Sequence, residues 1–307
     1  MDSFAIFRLP HADYCTTVEG EAVVVPSLAE LDNEQGFLIA PFTPSAQEPV
    51  VLIKPHRIDR IDRKDRTFRI FRKDRTFRKL RTLRKLRIFR TLRMPWKAQP
   101  SQPSSQATYS ADFTSFHNAI VSGQFQKLVL ARCATIPHDD DTNPLELFEK
   151  ASQLYPRMFV ALVSTPQSGM WLTASPEILL ESLDNTAEDE VCRWRTIALA
   201  GTMRLEGDQL RGEGESAVWS TKNIEEQRIV ATYVAECLEQ FSTSFSEEGP
   251  RTVRAANLVH LRSDFTFTLP DNRHLGDLIA RLHPTPAVCG LPKREAYQFI
   301  VHNEHTP

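Results

Sequence analysis

The sequence predicts an α+β layered fold. Apolar runs of strand length follow one another in groups, with helical patterns between only some of them. Several of the runs are bounded by Gly and Pro, the residues that punctuate strands. A regular strand–helix alternation, which would build a parallel sheet, does not fit. The composition agrees: 307 residues, 41% hydrophobic and 25% charged, are ordinary for a globular chain with room for one large core or two smaller ones.

The elements follow in order. Residues 1–54 read as short strands of the same fold, in "GEAVVVPS", "GFLIAPF" and "PVVLIKP". Residues 55–97 form an Arg-rich insert, and 98–109 are a linker rich in Pro, Ser and Gln. Residues 110–307 form the main region. Ser110 can cap a helix with Phe113, Phe116 and Ile120 on one face and Gly123 at its end. "FQKLVLARCAT" alternates like a strand. Asn143–Pro144 opens a helix with Leu147, Phe148, Ala151 and Leu154 on its buried side. "MFVALVST", "GMWLTAS", "EILLES" and "WRTIALAGT" read as strands. "STKNIEEQRIVATYVAECLEQF" is a long helix, capped by Ser220 or Thr221. "TFTLP" is a short strand and "LGDLIARL" a short helix.

Charge is unevenly spread. The net charge is −2, yet residues 54–97 hold 19 Lys and Arg against 4 Asp and Glu. The rest of the chain is therefore strongly acidic. Arginine recurs at every third position from Arg57 to Arg93. A period of 3 does not match the 3.6 of an α-helix, so on a helix the arginines would wind around the rod and leave no apolar stripe to bury. The block reads as a solvated helical or disordered insert, or else as an arm for nucleic acid or a membrane surface. It carries no base-reading motif, so only sequence-blind attraction to phosphates is expected, and no specific nucleic-acid partner.

The five cysteines lie far apart with no CxxC pair, which speaks against a zinc site and for free thiols in a reducing compartment. The first residues lack a basic segment followed by an apolar one, and no apolar run approaches 18 residues. A cytoplasmic protein without a membrane partner is expected, as a monomer.

Several residues could carry chemistry. Lys127 stands on an alternating strand beside Val129 and Ala131, either half-buried or lining a cleft. Burial would lower its pKa and make it a possible base, whereas at the surface it would only snorkel. Glu177 follows the Ser175–Pro176 turn and precedes apolar "ILL". It is either a solvated turn residue or a carboxyl whose pKa an apolar pocket raises. On the long helix Glu226 shares a face with Ile229, Val230, Tyr233, Val234 and Cys237, whereas Glu225 aligns with Arg228, Thr232 and Glu236. Glu226 is thus the expected buried carboxylate, and it would need a cation or a hydrogen-bond donor. The other reading is a carboxylate favoured by the dipole of the helix N-terminus. Gly201 and Thr202 end a strand, either as a plain turn or as amides and a hydroxyl that bind a carboxylate. His260 alone reads as a satisfied core residue.

The stretches "FQKLVLAR", "TASPEILLES", "ALAGTMRLEG", "KNIEEQRIVATYV", "HLRSDF" and "LHPTPAVCGLPKREAYQFI" come in an order and spacing that resemble the chorismate-utilising enzymes. That family holds isochorismate synthase, anthranilate synthase and aminodeoxychorismate synthase. The resemblance covers residues 110–307, and "GFLIAPF" extends it toward the N-terminus. It implies a layered fold of large antiparallel sheets with flanking helices. It also implies that Lys127 is the base that activates water to attack C2 of chorismate, and that Glu177 is the acid that protonates the departing C4 hydroxyl. Glu226 would bind Mg²⁺, a hard cation that prefers oxygen. Gly201 and Thr202 would bind substrate, Ala287 would line the pocket, and His260 would sit near the ring hydroxyl. His283 would anchor a loop.

The resemblance also separates the members. "AGT" at Ala200–Thr202 lacks the lysine nucleophile of the aminodeoxychorismate synthases. Lys127 stands where anthranilate synthases carry glutamine. Isochorismate synthesis with Mg²⁺ is the expected activity, with the "KNIEEQ" helix start closer to members of the menaquinone pathway than to siderophore ones. Salicylate synthesis is the alternative. The family also continues beyond "REAYQFI" with a "YYxG"-type stretch, an arginine, a glycine-rich turn and a second acidic cluster. An inactive chain lacking the C-terminal part of the fold is therefore a further expectation.

Overall fold

The computed structural model describes residues 3–32, 34–62, 106–134, 136, 142–183, 192–205, 217–269 and 274–305. These fall into two compact units. The first is Met1–Ser27, Glu34–Gln99 and Asp141–Pro176, and the second is Leu28–Asn33, Pro100–Asp140 and Glu177–Pro307.

The first unit is an antiparallel sheet of six strands. They are β1 (Ser3–Arg8), β2 (Tyr14–Val24), β3 (Phe37–Ile39), β4 (Val51–Asp62), β6 (Phe159–Thr165) and β7 (Gly169–Ser175), in the order β3-β4-β2-β1-β6-β7. Ala5, Val18, Ile53 and Val163 make a core on one face, with Phe7, Phe37 and Ile39 against it. Strand β4 runs through the expected junction at residue 55. Its arginines Arg57 and Arg60 pair with Glu19 and Thr16 of β2. The helical alternative for the repeat is thus corrected over 57–62, where sheet pairing overrides local preference; residues 63–105 lie outside the described residues. The pairing register shifts between Glu19 and Gly20, opposite Pro55. A Cβ on Gly20 would lie 1.9 Å from the carbonyl oxygen of Lys54, so only glycine allows this approach.

Helix α1 (Gln106–Val121) belongs to the second unit and starts before Ser110, the expected cap. Its buried side is Asp112, Phe116 and Ala119; Phe113 is 53% exposed and Ile120 is 38% exposed. Phe116 meets Phe299 edge-on, and that contact selects the face. Helix α2 (Pro144–Leu154), in the first unit, begins as expected, with Asn143 accepting from the amide of Leu145. Phe148 is buried as expected, joined by Ser152, and Leu147 and Ala151 are partly buried, while Leu154 is exposed, which corrects the expected face at its last position. The buried Arg8 closes the end of this helix, donating to the carbonyls of Tyr155, Pro156 and Met158.

The second unit holds a four-stranded antiparallel sheet of β8 (Glu181–Ser182), β9 (Cys192–Arg204), β10 (Phe245–Ala255) and β11 (Leu258–Leu269), in the order β10-β11-β9-β8. "EILLES" thus contributes only a two-residue strand, and "TFTLP" is the end of a long one. Helix α3 (Thr221–Leu238) lies on the sheet, with Ser220 accepting from the amide of Asn223 as its cap. Val230, Ala231, Val234 and Leu238 pack on Ala198, Ala200, Phe265, Phe267 and Leu269, joined by Leu278 and Leu282 of α4 (Leu275–Leu282). A two-stranded ribbon of β5 (Lys127–Leu128) and β12 (Gly290–Leu291) leads into α5 (Lys293–Asn303). The long strand expected for "FQKLVLARCAT" is therefore two residues of ladder, because its partner strand is equally short. Among the described residues no helix is long and apolar enough to cross a membrane.

Candidate active site

Lys127 is held from several directions. Its strand pairs with β12, placing Lys127 opposite Leu291. The amide of Val129 donates to Cys289 O at 2.8 Å and that of Gln126 to Leu291 O at 2.9 Å. A Cβ on Gly290 would lie 2.4 Å from Lys127 O, so the two backbones can touch only at a glycine. The Lys127 side chain is 10% exposed. Its Nζ donates to Pro286 O at 2.7 Å and Ala287 O at 3.2 Å. Ala287 thus meets Lys127 through its backbone carbonyl.

Glu226, one turn into α3, brings Oε1 to 3.6 Å from Lys127 Nζ. Its side chain is 34% exposed, so it is half-buried, and the fully buried polar residue of this helix face is Gln227. That corrects the expectation of a deeply buried Glu226. The helical angle between neighbours is only 100°, and packing of α3 on Ser263 turns Gln227 inward, where Nε2 donates to Ser263 Oγ at 2.8 Å.

Burial acts on Lys127 and Glu177 in opposite senses. It lowers the pKa of Lys127, although Glu226 and Glu177 pull it back up. It raises the Glu177 carboxyl to about 7, against the pull of Lys127. A lysine whose charged form is disfavoured by burial and a carboxyl whose proton is retained by burial thus lie within electrostatic reach of each other.

Thr202 and His260 form a second group. They face each other across β9 and β11, with Thr202 Oγ1 3.0 Å from His260 Nδ1. The register shifts beside them, leaving Gly201 at φ 68° without a partner. A Cβ on Gly201 would lie 2.6 Å from Asn223 O, in the first turn of α3. This glycine therefore sets how closely the strand approaches the helix that carries Glu226. Burial lowers the pKa of His260, and its Nε2 is buried without a hydrogen-bond partner among the described residues. The expected satisfied core histidine is thus satisfied at one nitrogen only. His283 is the C-cap of α4, its backbone amide donating to Ile279 O at 2.8 Å.

Glu226 offers Mg²⁺ an oxygen ligand of the preferred kind. It faces an ammonium, however, and among the described residues no group of three His, Cys, Asp or Glu converges to hold a metal. The described residues fit one ligand of a Mg²⁺ site and do not complete it.

The fold and these groups define a class. A family model for chorismate binding enzymes matches residues 60–307. The chain belongs to the chorismate binding enzyme family. It is similar to the isochorismate synthase EntC of Escherichia coli (strain K12), with 29% identity over 184 residues. That match covers 59% of this chain and 45% of EntC, so the chain spans about half the length of this curated relative. Its fold is similar to that of DhbC from Bacillus anthracis (TM-score 0.67, 18% identity, covering 99% of this chain and 78% of DhbC). It is also similar to MenF, the menaquinone-specific isochorismate synthase from Escherichia coli (TM-score 0.65, 19% identity, covering 99% of this chain and 73% of MenF).

Sequence reasoning missed Gln227 and Asn223. Gln227 sits beside an acidic pair that drew attention to itself. Asn223 acts through its backbone, which no side-chain pattern reveals.

Proposed function

We propose that this protein is an isochorismate synthase that converts chorismate to isochorismate. The observation that carries the reading is the oppositely shifted pair, Lys127 and Glu177, with Glu226 beside the lysine. In its neutral form Lys127 takes a proton from water, and the oxygen bonds to C2 of the ring. The ring double bonds shift, and the C4 hydroxyl leaves with the proton of Glu177 as water. Substrate and product are isomers, so the step balances. One proton now sits on Lys127 and one is missing from Glu177, and passing it between them resets the site. Both groups need the less charged form at the start, which is the direction in which burial pushes each of them. Thr202 and the amide of Gly201 bind the substrate in this reading, with His260 near the ring hydroxyl.

Mg²⁺ belongs to the proposal as an ion that Glu226 would help to hold. When bound it would supply positive charge beside a dianionic ring. Calorimetric titration of Mg²⁺ into the chain with chorismate present, compared with Glu226→Gln, tests this; equal heats in both would refute it. Menaquinone supply is the proposed use of the product, supported by the "KNIEEQ" start of α3.

The test of the activity is incubation with chorismate, with and without Mg²⁺, followed by chromatography. Isochorismate is expected, and its loss in Lys127→Ala. Salicylate as the product would favour the alternative synthase. No product from a folded chain would overturn the reading.

A further inference from the structure

Lys293 breaks a rule of charge placement. It is the first residue of α5, where the positive end of the helix dipole disfavours an ammonium. Its side chain turns instead to the end of α4, donating to Arg281 O at 2.6 Å and His283 O at 2.9 Å. These are carbonyls that a helix terminus leaves without partners. Tyr233 joins the arrangement, with its hydroxyl donating to Arg281 O at 2.7 Å and its ring centroid 5.6 Å from Lys293 Nζ. Burial lowers the Lys293 pKa to about 8, so the ammonium is kept out of water rather than solvated.

The segment tied down in this way continues into the active site. After His283 the chain makes a turn in which Val288 and Cys289 donate to Thr285 O. That turn presents Pro286 O and Ala287 O to Lys127 Nζ. A neutral amine has two N–H bonds and one lone pair. Two carbonyls that take both N–H bonds set where the lone pair points.

We infer that Lys293 is a positioning residue for Lys127: it fixes the 283–289 turn from its rear, and the carbonyls of that turn orient the amine. The inference rests on the reading of Lys127 as the base, and its function is to keep the lone pair aimed at the attacking water. Glu226 lies 3.6 Å from the same nitrogen and is too distant to set that direction alone.

The test replaces Lys293 by Met, which keeps the stem and removes the donors. The Lys127 side-chain resonance is followed by NMR and assigned by its disappearance in Lys127→Met. In folded Lys293→Met the chemical shift of that resonance is expected to move toward that of solvated lysines. Turnover is expected to fall about tenfold or more in kcat, with KM changed by less than about twofold. An unchanged Lys127 resonance in the folded variant would overturn the inference, whatever happens to turnover. If Lys293→Met does not fold, Tyr233→Phe decides: it removes one donor to Arg281 O, and the same shift in smaller measure is expected. No shift there overturns the inference. Wild-type turnover by Lys127→Met would remove the reading of the base itself, while the resonance in Lys293→Met still reports whether Lys293 positions that side chain.

Discussion

Glu177 gives the sharpest expectation at the scale of single residues. Its pKa is raised from 4.5 to about 7 by burial, so the folded chain holds this proton more tightly than the unfolded one. Stability from this group is fully present below 4.5 and is lost as pH rises through about 7. Glu177→Gln is therefore expected to unfold at higher denaturant than wild type at pH 8, by on the order of 2 kcal/mol, and to match it near pH 4. The same proton serves the proposed reaction, so kcat is expected to decline above about pH 7 and to be lost in the Gln variant at every pH. A flat pH–rate profile from 6 to 8.5 would remove Glu177 from the role of acid. The sequence raised both readings of this residue, turn or acid. Burial speaks against the solvated turn, and burial is a property of the neighbours rather than of "SPE".

Elements were legible where local chemistry and packing agree. Helix α4 spans the eight residues "LGDLIARL" that the pattern marked. Helix α3 takes Ser220 rather than Thr221 as its cap, through the 3.2 Å bond from Asn223 N. Ser220→Ala is expected to cost about 1 kcal/mol in chemical unfolding. The bulge at Gly201 should be more sensitive, because alanine meets both a positive φ and the Asn223 carbonyl at 2.6 Å. Gly201→Ala is expected to cost about 2 kcal/mol or more and to reduce turnover by moving Thr202 against His260. A variant with wild-type stability and kcat would show that the strand and helix can separate without cost. The elements that eluded the pattern have physical reasons. "FQKLVLARCAT" has strand alternation, yet a ladder needs a partner, and β12 offers two residues. The buried face of α1 follows Phe299, which lies far along the chain.

Over the whole molecule, the Arg repeat is the feature that most invites a functional claim. It lies outside the stretches that hold the candidate residues. Its first residues are spent on sheet pairing in β4, where Arg57 and Arg60 alternate with Asp59 and Asp62. Any DNA binding is expected to be equal on unrelated duplexes, to weaken by about tenfold or more between 50 and 200 mM salt, and to vanish when residues 63–97 are deleted. A sequence preference in a mobility-shift assay that survives the deletion would contradict this. The sequence by itself determined the class of fold, the family and the residues Lys127, Glu177, Glu226, Thr202 and His260 as candidates. Such information lies in residue identity and order along the chain, which motifs preserve. Only the tertiary structure decided which candidates meet. It joined Lys127 to Glu226 and to the carbonyls of the 283–289 turn, and Thr202 to His260. It also turned Gln227 inward and aimed Lys293 backward at α4. Those outcomes depend on backbone carbonyls and on desolvation by distant segments, and neither leaves a mark in the local sequence.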